Sequence, residues 1–239
     1  MHPCDEKNVD HFYMLNSISQ VSNVCDKVIR KERKSRMYSM VLYLISLSGS
    51  AHIASIVSSA NQRVYLIFRS FVSRNCAVLV RAFCTYVRPL LEHNTVIWSP
   101  YKLGDITSIE NVQRKFTKRL PGLKNYTYRE RLAAANLDTL ELRRLRFDLI
   151  MCYKIVFGLI NVDCKKFFLF APASSTRGHC YKLFVEQTSS NCRYHFFASR
   201  VIPVWNSLPS NFVNISTLPK FKTSLFLVDL SKFLKYQLD

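Results

Sequence analysis

The strongest constraint on the fold of this chain is a series of apolar faces that repeat with the period of an α-helix. In the first of them, apolar residues recur at positions 53, 56, 57, 60, 64, 67, 68 and 71. The second uses positions 79, 83, 86, 87 and 90, and the third uses 106, 109, 112, 116 and 120. Because each face covers only one side of a helix, the helices must pack together to bury it. The pattern predicts a mainly α-helical bundle.

Capping and breaking residues divide this bundle into helices. Pro89 has no N–H to donate to the Thr85 carbonyl, so it should kink or end the second helix. Thr127-x-x-Glu130 is a capping-box pattern for a short helix. Asp138-x-x-Glu141 predicts the start of a long helix that ends at Gly158.

The pattern of apolar residues changes after Gly158. "HCYKLFVEQ" and "NCRYHFFAS" indicate two short strands joined at residues 188–190, which would form a β-hairpin. Two short helices, in "SRVIPVWNSL" and "FKTSLFLVDL", complete the chain. We therefore predict three segments: a divergent N-terminal segment (1–48), a helical domain (49–160) and a small α+β segment (161–239).

The chain is strongly basic. It contains 34 Lys and Arg against 16 Asp and Glu, a formal net charge of +18. Residues 61–160 alone carry 17 basic and seven acidic side chains. Such an excess favours a polyanionic partner, with RNA or DNA first and an anionic membrane surface second. Charge alone does not exclude a basic protein that is merely soluble.

A membrane span and an oxidising compartment are both disfavoured. Residues 37–60 contain no charged side chain, but they include seven serines, and their compact apolar part is shorter than the roughly 20 residues that a span needs. The eight cysteines form no Cys-x-x-Cys pair, and most lie in apolar segments. We expect an intracellular, reduced protein in the cytoplasm or nucleus, without a membrane partner.

The candidate binding site is a basic stripe on the third helix and the loop after it. Spacings of four residues place its cations on the side opposite the apolar face. The stripe consists of Arg114, Lys115, Lys118, Arg119 and Lys124. Like charges so spaced repel each other, which favours an anion such as a phosphate beside them. The alternative is a solvated helix face, which is the commoner origin of a charge run.

Three further arginines are weaker candidates. Arg143 and Arg144 flank the apolar face of the long helix, where ion pairing with Glu141 or Asp148 is as good an explanation as phosphate contact. Arg63, on the first helix, completes the set of predicted nucleic-acid-binding residues.

No catalytic or metal site is predicted. His179, Cys180, Cys192 and His195 carry zinc-binding groups, but the expected hairpin would keep the first two far along the ladder from the others. Buried cysteine and strand-face histidine explain them better. Cys76 or Cys84 with His93 has no orienting acid, so a nucleophile and base pair is not supported there. For Trp205 we prefer packing to base stacking.

Several ordered blocks closely resemble the C-terminal part of reverse transcriptases from non-LTR retrotransposons, the LINE elements of the jockey and chicken-repeat type. The resemblance covers residues 49 to about 225. Its most specific pieces are Val87-Arg88-Pro89 with Trp98-Ser99-Pro100, the block 112–123, and Phe196-Phe197-x-Ser199-Arg200 through Trp205-Asn206-Ser207-Leu208-Pro209. Each piece alone would be weak, and their order along the chain makes the set specific.

This resemblance implies a helical thumb-like domain and the segment that follows it in a larger RNA-directed DNA polymerase. In that family the palm holds a Tyr-x-Asp-Asp box, whose carboxylates bind two Mg²⁺ ions. The present sequence contains no Asp-Asp pair. The expected chain is therefore a reverse-transcriptase fragment without catalytic residues or a cofactor of its own, inactive alone. A thumb would contact the phosphates of RNA, DNA or their hybrid beside the missing palm and fingers.

Residues 1–48 match the family poorly, and we attribute this to a frameshift or a spliced gene model. Two other functions remain open. One is a non-enzymatic scaffold domesticated from the element, and the other is a remnant without function. A basic protein associated with membranes through residues 37–60 is a third, less favoured hypothesis.

Overall fold

The computed structural model describes residues 49–172, 179–186, 194–213 and 217–238. This part of the chain is mainly helical, as predicted. Its α-helices are α1 (Gly49–Ser70), α2 (Cys76–Ala82), α3 (Arg88–Glu92), α4 (Thr95–Trp98), α5 (Leu103–Lys118), α6 (Tyr128–Ala134), α7 (Leu140–Val156), α8 (Phe197–Asn206), α9 (Ser210–Val213) and α10 (Leu218–Ser224). Short 3₁₀ turns lie at Cys164–Lys166 and Ser231–Phe233.

The described residues form two compact units. Unit 1 contains residues 49–93 and 111–137, and unit 2 contains residues 94–110 together with the described residues from 138 onward. Helix α5 therefore gives its first half to unit 2 and its second half to unit 1. The predicted boundary at residue 160 rests on the change in sequence pattern after Gly158 and stays a prediction.

The core of unit 1 joins α1, the α2–α3 region and the second half of α5. The apolar face of α1 is buried as its period predicts, from Ile53 to Phe68. The Phe116 ring of α5 stacks on Phe83, with ring centres 4.3 Å apart, and lies 5.6 Å from Phe68. Aromatic contacts of this kind add to the area-dependent gain from burial.

A π-helical turn precedes Pro89 in the second predicted helix. The chain continues through a π-helical turn, Phe83–Val87, where the Arg88 N–H donates to the Phe83 carbonyl five residues earlier. Pro89 then occupies the first turn of α3, where its missing N–H costs nothing. The π turn shifts the register before the proline, so the chain stays helical on both sides of it.

Helix α7 is the centre of unit 2. Its start is capped by Thr139, whose hydroxyl accepts the Leu142 N–H, and by the buried Glu110, whose carboxylate accepts the Leu140 N–H at 2.9 Å. This differs from the predicted Asp138 cap, because Asp138 pairs with Arg146 instead. The helix gives way to a turn in which Gly158 has a φ of +64°, which a glycine adopts without strain. Its apolar face packs against α8 and α10.

The predicted β-hairpin is not supported in the described residues. Leu183 forms an isolated antiparallel bridge with Phe170. The residues from Phe197 onward belong to helix α8, so the second predicted strand is wrong there. The pattern misled because a short apolar run fits a strand and a buried helix equally well. Residues 187–193, which would have formed the turn, and the whole predicted segment 1–48 lie outside the described residues.

Candidate nucleic-acid interface

The second half of α5 and the loop after it form an exposed basic surface in unit 1. Val112, Phe116 and Leu120 are buried together with the polar Gln113 and Thr117, while Lys115, Lys118 and Arg119 are exposed. We call the exposed group the basic surface; it consists of Lys115, Lys118, Arg119 and Lys124. Lys115 and Lys118 lie about one turn apart on α5, Arg119 follows directly after the helix, and the loop adds Lys124.

Arg119 is partly fixed by an aromatic ring. Its guanidinium carbon lies 4.1 Å from the centre of the Phe68 ring, although the residue remains exposed. A cation over a ring face gains about 0.5–1 kcal/mol at an exposed site. The contact restricts the side chain and leaves the edge of the guanidinium open to an anion.

Arg114, also predicted for this site, has a different environment. It is half-buried, and its guanidinium lies 5.5 Å from the centre of the Tyr128 ring, as does that of Arg131. Gln113 donates to the Tyr128 hydroxyl at 3.2 Å and holds the ring in place. Burial, followed by the charge of Arg114, lowers the pKa of Arg131. Arg114 therefore adds positive charge beside the basic surface while its side chain packs on Tyr128.

Carboxylates are scarce in unit 1. Residues 49–93 and 111–137 contain twelve Lys and Arg but only two acidic residues, Glu92 and Glu130. Glu92 lies 3.7 Å from Arg88. Glu130 completes the predicted capping box by accepting hydrogen bonds from Thr127, which lower the pKa of Glu130. Within the described residues, none of the four cations of the basic surface forms an ion pair.

The other predicted residues lie elsewhere. Arg63 is only 6% exposed, and its guanidinium donates to the Tyr86 carbonyl at 2.7 Å. Arg144 is 2% exposed and belongs to unit 2. Arg143, also in unit 2, is half-buried with its guanidinium 5.6 Å from the centre of the Phe147 ring. A buried guanidinium does not reach the phosphates of a nucleic-acid backbone at the protein surface, so Arg63 and Arg144 do not belong to the basic surface.

Four exposed arginines of unit 1 lie outside the predicted set: Arg69, Arg74, Arg81 and Arg129. Arg74 donates to the Phe68 carbonyl at 3.3 Å, at the end of α1. A sequence signal exists for Arg69, Arg74 and Arg81, because residues 49–91 contain no acidic residue. A long basic segment without carboxylates indicates a surface that lacks internal neutralisation.

The conspicuous block around residues 196–209 serves the structure of unit 2. Trp205 is fully buried, and its indole N–H donates to the Tyr181 carbonyl at 2.8 Å. The Asn206 side chain accepts the Leu183 N–H at 2.9 Å and donates to the Leu183 carbonyl at 2.8 Å. Leu183 lies opposite Phe170 in the bridge, and the N–H and carbonyl of Leu183 point away from Phe170. The Asn206 amide therefore bonds the two backbone groups that a further strand would bond in a sheet.

We expect Asn206→Leu to lower the free energy of unfolding by about 1–3 kcal/mol, because the Leu183 N–H and carbonyl lose their hydrogen bonds to the Asn206 side chain. Urea denaturation of the whole chain measures the loss. Asn211→Leu, at an exposed position of α9, is the matched control and should stay within about 0.5 kcal/mol of the parent. Equal losses in both variants would show that the Asn206 bonds contribute nothing special.

The zinc candidates do not assemble where the structure describes them. The His179 imidazole is buried with its Nε2 3.0 Å from the Trp205 carbonyl, and burial lowers the pKa of His179. Cys192 lies outside the described residues. Among those that are described, no group of three His, Cys, Asp or Glu side chains is arranged to hold a metal ion. In the same part of the chain, every helix is too short or too polar to cross a membrane.

Comparison with protein-family models, with curated proteins and with solved structures gives no match for this chain.

Proposed function

We propose that this chain is a non-enzymatic fragment of a retrotransposon reverse transcriptase whose basic surface binds RNA, DNA or their hybrid. Binding goes through phosphates and is independent of base sequence. The resemblance of residues 49–225 to the thumb and following segment of that family supports the origin. The parent polymerase's palm and fingers, in the cytoplasm or nucleus, are the protein partners that this origin implies.

One observation carries the binding proposal: four exposed cations lie within ten residues of the chain, in a unit where carboxylates are nearly absent. Lys115, Lys118, Arg119 and Lys124 have no ion-pair partner among the described residues, and the two carboxylates of unit 1 make local helix contacts. Mutual repulsion among these cations raises the free energy of the unbound protein, and a row of bound phosphates removes this repulsion. Arg69, Arg74 and Arg129 extend the positive charge of the same unit.

In this proposal the residues of the chain bind and position nucleic acid and catalyse no reaction on it. Exposed lysine and arginine side chains contact backbone oxygens, which fixes a strand against the protein and carries no sequence information. Polymerisation belongs to the palm carboxylates of the family and to the Mg²⁺ ions that they hold, and neither is assigned to this chain.

The test is the salt dependence of binding to a duplex labelled with a fluorophore. If four phosphates are neutralised, the logarithm of the association constant should fall with the logarithm of the salt concentration at a slope of about −3 to −4. Fluorescence anisotropy at several KCl concentrations measures the slope, and scrambling the duplex sequence should leave it unchanged. A flat salt dependence, or no binding at low salt, would refute the proposal.

A further inference from the structure

Unit 2 contains a cavity of about 250 Å³ that is open to solvent on one side and that the proposed function does not use. Its walls come from the segment after α4, from α7, from the start of α8 and from the last turn of the chain. Apolar side chains such as Ile106 and Leu145 line one part of it, and charged and aromatic side chains line the rest. This mixture of apolar walls with few polar groups is typical of small-molecule sites.

The carboxylates that face the cavity already accept hydrogen bonds from the protein. Both oxygens of the buried Asp148 accept from Arg200, at 2.8 and 2.9 Å. The oxygens of Glu141 accept the backbone N–H groups of Lys235 and Tyr236, at 3.0 and 2.8 Å. A cationic ligand would therefore compete with donors that are covalently part of the chain, so the carboxylates do not favour one.

Cations line the same cavity. One of them is Arg144, which is only 2% exposed. The exposed Lys235 ammonium donates to the Tyr101 carbonyl at 2.9 Å and keeps further donors for a ligand. Arg200 completes the group, so three cations line the cavity against two carboxylates.

Aromatic rings form one side of the cavity. The rings of Tyr101 and His195 stack with centres 4.2 Å apart and an interplanar angle of 8°. Tyr194 meets His195 edge-on, with ring centres 5.1 Å apart, and is 61% exposed. Parallel rings present a flat surface on which a planar ligand can stack.

The cations beside His195 affect its pKa. Burial lowers the pKa of His195, and the charges of Lys235 and Arg200 lower it further. A neutral imidazole keeps the aromatic surface free of charge, while the neighbouring cations favour a negative group nearby.

We propose that this cavity is a binding site for a small planar aromatic ring that carries one anionic group. The ring stacks beside Tyr194 and His195, and the anionic group pairs with Lys235 and Arg144. The volume lies just below the roughly 300–1,000 Å³ of drug-sized sites, so the occupant is about as large as one nucleobase with its substituent. Free aromatic acids and nucleotides both present this chemistry.

Isothermal titration calorimetry of the full chain tests the proposal with four probes. Orotate and uridine 5′-monophosphate carry both a pyrimidine ring and an anionic group, whereas uridine lacks the charge and inorganic phosphate lacks the ring. We expect the first two to bind at millimolar concentration or below, and the last two not to bind. Tighter orotate binding assigns the site to free aromatic acids, and tighter nucleotide binding assigns it to nucleotides. No heat from either anionic ring, or equal binding of phosphate alone, would overturn the proposal.

Two substitutions at the edge of the cavity locate the binding. Lys235→Gln should weaken the binding of the anionic rings about tenfold, and Tyr194→Ala about threefold or more. Lys220→Gln and Tyr126→Ala, exposed residues that do not line the cavity, are the matched controls and should bind like the parent. Thermal unfolding checks that each variant is folded. If Lys235→Gln and Tyr194→Ala also bind like the parent while folded, the ligand lies elsewhere and the assignment is wrong.

Discussion

Changing Lys115, Lys118, Arg119 and Lys124 together to glutamate is expected to weaken nucleic-acid binding by more than about 100-fold at low salt. All four side chains are exposed in unit 1. The substitutions replace four phosphate-binding cations by four anions that repel phosphates. Electrophoretic mobility shift and anisotropy with RNA, DNA and hybrid duplexes measure the loss.

The variant should remain folded, which makes the result interpretable. Exposed substitutions usually change the free energy of unfolding by less than about 0.5 kcal/mol each. The largest structural loss is the contact between Arg119 and the Phe68 ring, about 0.5–1 kcal/mol. Circular dichroism and urea denaturation of the variant verify this.

A matched control separates a local surface from net charge. Lys165, Lys166, Lys220 and Lys222 are exposed in unit 2, and their reversal to glutamate changes the net charge by the same amount. We expect this second variant to keep most of its affinity at 0.1 M salt, because none of these four lysines belongs to the basic surface and the effect of net charge alone is screened by salt. Equal losses in the two variants would show that the basic surface of unit 1 has no special role.

The helical period predicted the core of unit 1 well. Positions from Ile53 to Phe68 on α1, and Phe83 and Phe116 on the other elements, are buried as expected. Period and burial are linked directly, because a helix can only bury the face that its apolar residues share. The capping box at Thr127 is confirmed for a similar reason, since its two hydrogen bonds form within one turn.

Sequence reasoning was weaker wherever a side chain depends on distant residues. Arg63 was predicted as a binding residue, but the structure buries it against the Tyr86 carbonyl, 23 positions away. A long arginine can cover apolar surface or reach a solvent-exposed anion, and local sequence does not distinguish the two. Arg200 was noticed only as part of a family block. Its partners Asp148 and Val96 lie 52 and 104 positions away, so no local pattern contains the bond.

The second large expected effect follows from this arginine. Arg200 donates to both oxygens of Asp148 and, at 2.7 Å, to the carbonyl of Val96 in α4. Asp148 is only 3% exposed. Arg200→Met removes the guanidinium and leaves a buried carboxylate without its main partner. We expect the free energy of unfolding to fall by about 3–5 kcal/mol, measured by urea denaturation at neutral pH.

The pH dependence of that loss identifies its cause. Burial raises the pKa of Asp148 in the parent, against the opposing charge and hydrogen bonds of Arg200. Without Arg200 this pKa should rise further above the unfolded value, so the folded variant binds the proton more tightly than the unfolded chain. The associated stability is present at low pH and is lost as pH rises through the folded pKa. The variant should therefore lie closer to the parent at about pH 4.5 than at about pH 7.5.

A double substitution separates the ion pair from ordinary packing. Asp148→Leu with Arg200→Met removes both charges of this ion pair, whereas the buried Arg144 keeps its charge. The double variant should be more stable than Arg200→Met alone. It should still fall below the parent by about 1 kcal/mol or more, because the Val96 carbonyl loses a donor. If the double variant were as unstable as the single one, and equally so at both pH values, the damage would come from lost arginine packing. An isolated buried charge predicts the opposite: removing the carboxylate as well as the guanidinium restores stability.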